Sequence, residues 1–234
     1  MCTAAQLALF AVCSLQAQSL KDLSTVTPIP VGDTLIIGFL GGYERWNDPN
    51  RSVRRLTLKL RNLPNTHAES FGNHHQSAAL QFITKALDTD GNRKLDPAET
   101  AHARIIIFGQ SLGGNATIQL ARALAKKKIP VLLTVQVDSV GIHDYLIPAN
   151  VKAAVNFYQH ELLTFQGQSK IRASNPKLTT ILANQQFHYP ITAPGPTPES
   201  WPRRVFGGAH ARMEADPILW AEVETFIHQA AAKK

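Results

Sequence analysis

The stretch from Arg104 to Lys126 constrains this chain most. RIIIF, an apolar and β-branched run, passes through Gly109-Gln110-Ser111-Leu112-Gly113-Gly114 into NATIQLARALAK. A short unbroken apolar run marks a strand buried on both faces, and the pattern that follows is helical. Only a few glycine-rich residues separate them, so a strand must turn sharply into a helix. Such units build parallel sheets with helices packed against them.

The same alternation recurs after residue 30. Thr34–Phe39, Arg104–Phe108, Val131–Val137 and Leu178–Leu182 are expected strands, the third ending at Asp138. Residues 53–61 fit an amphipathic helix or an edge strand. Helices are expected over Asn73–Leu87, Asn115–Lys126, Val151–Leu163 and Pro217–Ala231, the last opened by a proline that suits a first helical turn. Pro190, Pro194, Pro196, Pro198 and Pro202 make residues 190–202 a loop or lid segment. The fold class is α/β: a mostly parallel sheet with helices on both faces in three layers. Residues 19–234 read as one domain, with a lid region over about 142–204. The aromatic residues there (Phe157, Tyr158, Phe165, Phe187, Tyr189, Trp201) either line an acyl pocket or pack the segment.

At 234 residues, with 44% hydrophobic and 18% charged residues, the chain can bury a sizeable core. The net charge of +7 is scattered. Its one tight run, Lys126-Lys127-Lys128, falls where a helix should end and where its dipole favours cations. No nucleic-acid motif accompanies the charge, so no nucleic-acid partner is expected. Both cysteines, Cys2 and Cys13, lie in the first segment, which leaves the domain without a disulfide framework, zinc site or cysteine nucleophile. Leu7–Leu15 is an apolar run followed by small and polar residues. Residues 1–18 therefore read either as an export signal lacking its basic leader or as a helix packed on the domain. The export reading places the protein outside the cell or in the periplasm, the other in the cytoplasm.

Gly109-Gln110-Ser111-Leu112-Gly113 fits G-x-S-x-G, and its setting between a buried strand and a helix gives the match its force. Side chains two residues either side of the serine would collide in so tight a turn. The helix start behind Ser111 offers the Leu112 N–H and a positive dipole end to an oxyanion. The competing reading is a glycine-rich turn with an incidental serine. A serine hydroxyl needs a histidine to take its proton and an acid to orient that histidine. Asp138, ending the next strand, faces the same sheet edge as Ser111 and is the candidate acid, with Asp144 in reserve; a turn-capping role is the alternative.

These features resemble the α/β-hydrolase superfamily of esterases, lipases and thioesterases, over roughly residues 30–230. The resemblance implies a chain order of serine, acid, histidine. It points to His210, in Gly207-Gly208-Ala209-His210, as the base, carried on a loop before the terminal helix. It also implies a second oxyanion donor from the loop Gly38–Tyr43, for which Leu40 is the candidate and Gly41 the next. Gln110 stands where lipases usually carry histidine, outside the triad.

Asp88–Glu99, DTDGNRKLDPAE, resembles a twelve-residue EF-hand calcium loop. Asp88, Asp90, Asn92, the Lys94 carbonyl, Asp96 and Glu99 take the oxygen-donor positions, and Leu95 the apolar one. Arg93 stands where glycine is usual, at an expected cost of about 1 kcal/mol in a left-handed backbone. Calcium there is expected to be structural, with catalysis needing no cofactor.

Together these readings give an ester hydrolase, esterase or lipase, forming an acyl-enzyme on small-molecule or lipid esters, the latter at a membrane surface. A thioesterase, a peptidase and a non-catalytic calcium-stapled binding module are the rivals.

Overall fold

A computed structural model describes residues 18–42, 44–161, 166–189 and 208–232. Residues 1–17 of the expected signal segment with both cysteines, the proline-rich stretch 190–202, Phe165 and Trp201 lie outside the described residues.

Among the described residues eight strands form: β1 (Thr34–Phe39), β2 (Thr66–Phe71), β3 (Ile105–Gln110), β4 (Val131–Val137), β5 (Leu146–Ile147), β6 (Val151–Tyr158), β7 (Arg172–Ala173) and β8 (Thr180–Gln186). Six of them make one sheet in the order β2-β1-β3-β4-β6-β8, with every neighbouring pair parallel. The short β5 and β7 pair separately. The helices are α1 (Ser52–Leu60), α2 (Gln76–Leu87), α3 (Pro97–Ala101), α4 (Leu112–Lys126), α5 (Ala209–Ala215) and α6 (Pro217–Ala232).

Two apolar layers sandwich the sheet. Leu35, Ile37, Ile105 and Ile107 meet Phe82, Ile83, Ile118 and Leu124 of α2 and α4. On the other face Ile36, Ile106, Leu133 and Val135 meet Val53, Leu56 and Leu60 of α1 and Leu219, Val223 and Ile227 of α6. Alternating residues of one strand thus feed opposite layers, and each fully buried Ile or Leu contributes about 1.5–3 kcal/mol. The architecture is α/β with a wholly parallel central sheet and helices on both faces.

Residues 53–61 resolve as helix α1. Lys126 ends α4, as its basic run implied. Val151–Leu163 is not a helix: its first eight residues are β6, between β4 and β8. The run satisfies two periods at once. Val151, Ala154, Val155 and Tyr158 have helical spacing, while Val151, Ala153, Val155 and Phe157 alternate. Strands on both sides decide for the second. Because β6 and β8 belong to the main sheet, residues 142–204 do not form a continuous lid. Phe157 is fully buried against Phe187 and Phe226, so those rings pack the domain.

Strand β2 carries THAESF, too polar to stand out in sequence, and lies at one end of the sheet. Two of its outward carbonyls, and the N–H just past its end, are taken by side chains. Arg61 Nε donates to the Ala68 carbonyl at 2.8 Å. Gln18 Nε2 donates to the Ser70 carbonyl at 2.7 Å, while Gln18 Oε1 accepts the Gly72 N–H at 3.4 Å. Glu69, fully buried, accepts the N–H and hydroxyl of both Ser24 and Thr25 and pairs with Arg61 at 2.5 Å.

Candidate functional site

The strand order reverses between β1 and β3, because β2 flanks β1 on one side while β3, β4, β6 and β8 extend on the other. Loops leaving the carboxyl ends of β1 and β3 diverge there and open a crevice. Ser111 sits at that point, immediately after β3 and before α4, with φ 57° and ψ −124°. The surroundings fix this unusual backbone. Its N–H donates to the Val137 carbonyl at 2.9 Å, and its carbonyl accepts from the N–H groups of Gly114 and Val140 at 2.9 and 3.1 Å. The flanking glycines are needed for space. A Cβ on Gly109 would overlap the Gly113 carbonyl, and one on Gly113 would overlap the Phe39 carbonyl. On Gly114 it would come within 2.6 Å of the Ser139 side chain.

His210 Nε2 lies 3.0 Å from Ser111 Oγ, and His210 Nδ1 lies 2.6 Å from Asp138 Oδ2. The carboxylate can only accept, so Nδ1 carries the proton and Nε2 is left as an acceptor facing the serine hydroxyl. The ring is 6% exposed. It stands in the first turn of α5 rather than in a loop, after Gly208 at φ 76° has reversed the chain.

Asp138 follows β4 with φ 42° and is fully buried. Three donors converge on its carboxylate: His210, the Gly167 N–H on Oδ1 at 2.8 Å and Gln159 Nε2 on Oδ2 at 3.2 Å. Asp144, the reserve acid, is engaged elsewhere. It accepts from Ser139 Oγ at 2.5 Å, and burial raises its carboxyl above the ordinary range. Among the other histidines, His67 pairs with Asp33 and His228 with Glu224.

Leu112 is the first residue of α4, where N–H groups have no intrahelical acceptor. Leu40 is corrected as an oxyanion donor: its N–H extends the sheet by donating to the Phe71 carbonyl at 3.0 Å. Gly41 comes closer, since a Cβ there would lie 3.2 Å from Ser111 Cβ. Its N–H donates to Glu44 Oε2 at 3.2 Å. Burial pushes the Glu44 carboxyl up to about 7, against the opposing pull of Arg51 at 3.1 Å.

Sequence reasoning missed Gln159 and Gly167, and gave Gln110 no contact with the triad. Gln159 ends the strand beside Asp138 and would have been visible had β6 been assigned. Gly167 reaches Asp138 from an irregular segment with no sequence signature. Gln110 Nε2 lies 3.4 Å from His210 Nε2, a consequence of its place beside the serine.

An acceptor nitrogen held on a hydroxyl by a buried carboxylate is an arrangement that can deprotonate the hydroxyl as it attacks an electrophilic carbon. Among the described residues no helix is long and apolar enough to cross a membrane.

No family model matches the chain, and no curated protein matches it. Among solved structures it is similar to one described as a novel cutinase-like protein from Cryptococcus sp.. The sequences are 12% identical, the match covers 90% of this chain and 100% of that one, and the TM-score is 0.43. That likeness is too slight to bear on what this chain does.

Proposed function

We propose that this chain is a serine hydrolase of the α/β-hydrolase type that cleaves carboxylic esters. The observation that carries the reading is the unbroken relay from Ser111 Oγ to His210 at 3.0 Å and from His210 to Asp138 at 2.6 Å. Ser111 Oγ bonds to the ester carbonyl carbon while its proton passes to His210 Nε2. Asp138 steadies the imidazolium that results. The oxyanion is held by the Leu112 N–H, and the Gly41 N–H adds a second donor once it leaves Glu44 Oε2. Collapse expels the alcohol, which takes the proton from His210 and leaves an acyl-serine. Water then attacks that ester, delivers a proton to His210, and the acid departs as Ser111 recovers its hydrogen.

The Leu112 side chain is 39% exposed beside the serine, which supports an apolar acyl group at the mouth of the site. The substrate is accordingly a small-molecule or lipid ester, and a secreted or periplasmic setting belongs to the same proposal. The test is labelling by a fluorophosphonate probe together with turnover of p-nitrophenyl esters of graded acyl length. The native chain labels and turns over. Ser111→Ala does neither and melts at the native temperature. Turnover or labelling that survives in Ser111→Ala overturns the proposal.

A further inference from the structure

Between α2 and α3, away from Ser111, the carboxylates of Asp88, Asp90 and Glu99 gather with ligand oxygens within 4.8 Å of one another. Like charges repel at such a separation. Hydrogen bonds satisfy part of the cluster. Asp88 Oδ2 accepts the Arg93 N–H at 2.9 Å. Glu99 Oε1 accepts the Thr89 N–H at 2.7 Å, and Oε2 accepts the Asp96 N–H at 3.0 Å. Asp88 Oδ2 and Glu99 Oε2 each keep a second lone pair, while Glu99 Oε1 also accepts the Thr89 hydroxyl at 3.0 Å and both Asp90 oxygens accept from Asn92.

Asp88 Oδ1 is different. The residue is only 9% exposed, and this atom is buried with no hydrogen-bond partner. A carboxylate oxygen hidden from water without a partner costs about 1–3 kcal/mol or more. It belongs to the same carboxylate that meets Asp90 and Glu99. A single partner that answers this oxygen and the neighbouring carboxylates together is positive, compact and able to bind several oxygens at once. A hard divalent cation meets all three demands.

We infer that Asp88, Asp90 and Glu99 form the anionic core of a calcium site, with Asn92, the Lys94 carbonyl and Asp96 as the remaining candidate donors. Arg93, whose identity argued against such a loop, takes φ 65°, so the chain turns there without glycine. Thr89, Asp90, Asp96 and Glu99 also line a cleft with Ile29 and His102, which leaves room for water ligands. Calcium suits such a site better than magnesium, because it tolerates irregular geometry and longer bonds, whereas magnesium sheds its waters reluctantly. The ion joins the end of α2 to the start of α3, so its effect is on stability.

The inference does not depend on the ester-hydrolase reading. The test is calorimetric titration of the full chain with calcium chloride, after chelator treatment, paired with thermal melts. A saturating one-to-one heat is expected, with a rise in melting temperature of about 5–10 °C at a hundredfold excess over the dissociation constant. Magnesium should produce neither. Asp90→Asn, at an exposed position that folding tolerates, and Asp88→Asn should each weaken binding at least tenfold. No heat and no melting shift at millimolar calcium overturns the inference. An equal response to magnesium, or a response that persists unchanged in both variants, does so too.

Discussion

Of the described non-glycine residues that turn the chain through positive φ, Ser111 at 57° and Arg93 at 65° have surroundings that differ completely. Around Ser111 the backbone is over-determined. Its N–H is bonded across the sheet, its carbonyl accepts from Gly114 and Val140, and neighbouring glycines leave no room for a Cβ. Around Arg93 the restraint is a single bond from its N–H to Asp88 in an otherwise exposed loop. Strain persists where packing enforces it. The first turn is therefore rigid by construction, while the second depends on whatever holds its carboxylates together.

That contrast can be broken in four ways. The largest effect belongs to Asp138→Asn. It keeps the shape but offers His210 a group that can donate, so the imidazole no longer turns an acceptor to Ser111. Turnover of a p-nitrophenyl ester should fall roughly 10⁴-fold with little change in melting temperature. A loss under tenfold would mean that Asp138 only caps a turn.

Next is Gly109→Ala. Its Cβ would overlap the Gly113 carbonyl, so chemical denaturation should show a loss of about 2–4 kcal/mol. Gly91→Ala offers the matching control in the loop. Nothing lies within 4 Å of its Cβ, and only the cost of φ 73° remains, about 1 kcal/mol. Equal losses at the two glycines would erase the distinction.

The third is a pH effect beside the rigid turn. Glu44 stays protonated in the folded chain up to about 7 but ionises near 4.5 once unfolded. The folded state binds the extra proton in that window, so stability should fall as pH rises from about 4.5 to about 7. The drop is at most roughly 3 kcal/mol. Glu44→Gln should flatten this part of the curve of melting temperature against pH. An unchanged slope would place the titration elsewhere, Glu214 being the nearest candidate, since burial raises it also.

The smallest effect is expected from Arg93→Gly. Relief of the left-handed backbone is worth about 1 kcal/mol, partly offset by the entropy of a new glycine. A rise of a degree or two in melting temperature is expected, and a fall would show that Arg93 contributes contacts of its own.

The first four strands of the sequence differ in how openly they declare themselves. RIIIF and VLLTVQV are buried on both faces and read as strands without context, and so the turns after them, with Ser111 and Asp138, were legible. β2 was not, because a strand at the end of the sheet can hold His67 and Glu69 among its residues. β6 was misread because its apolar residues satisfy both helical and strand spacing, and only its neighbours choose between them. Leu40 failed for a related reason: which N–H groups of a strand end remain free depends on how far the pairing runs. The support of Asp138 by Gly167 and Gln159 joins segments far apart in sequence, and no spacing rule encodes it.

Parallel strands at the margin of a sheet normally offer a row of donors and acceptors to any passing chain. In this molecule two outward acceptors of β2, the Ala68 and Ser70 carbonyls, are already taken by Arg61 and Gln18, with Ser24 and Thr25 moored to Glu69 alongside. A neighbouring copy approaching that flank meets side chains already seated on two of the acceptors it would need, which makes continuous strand addition there less favourable.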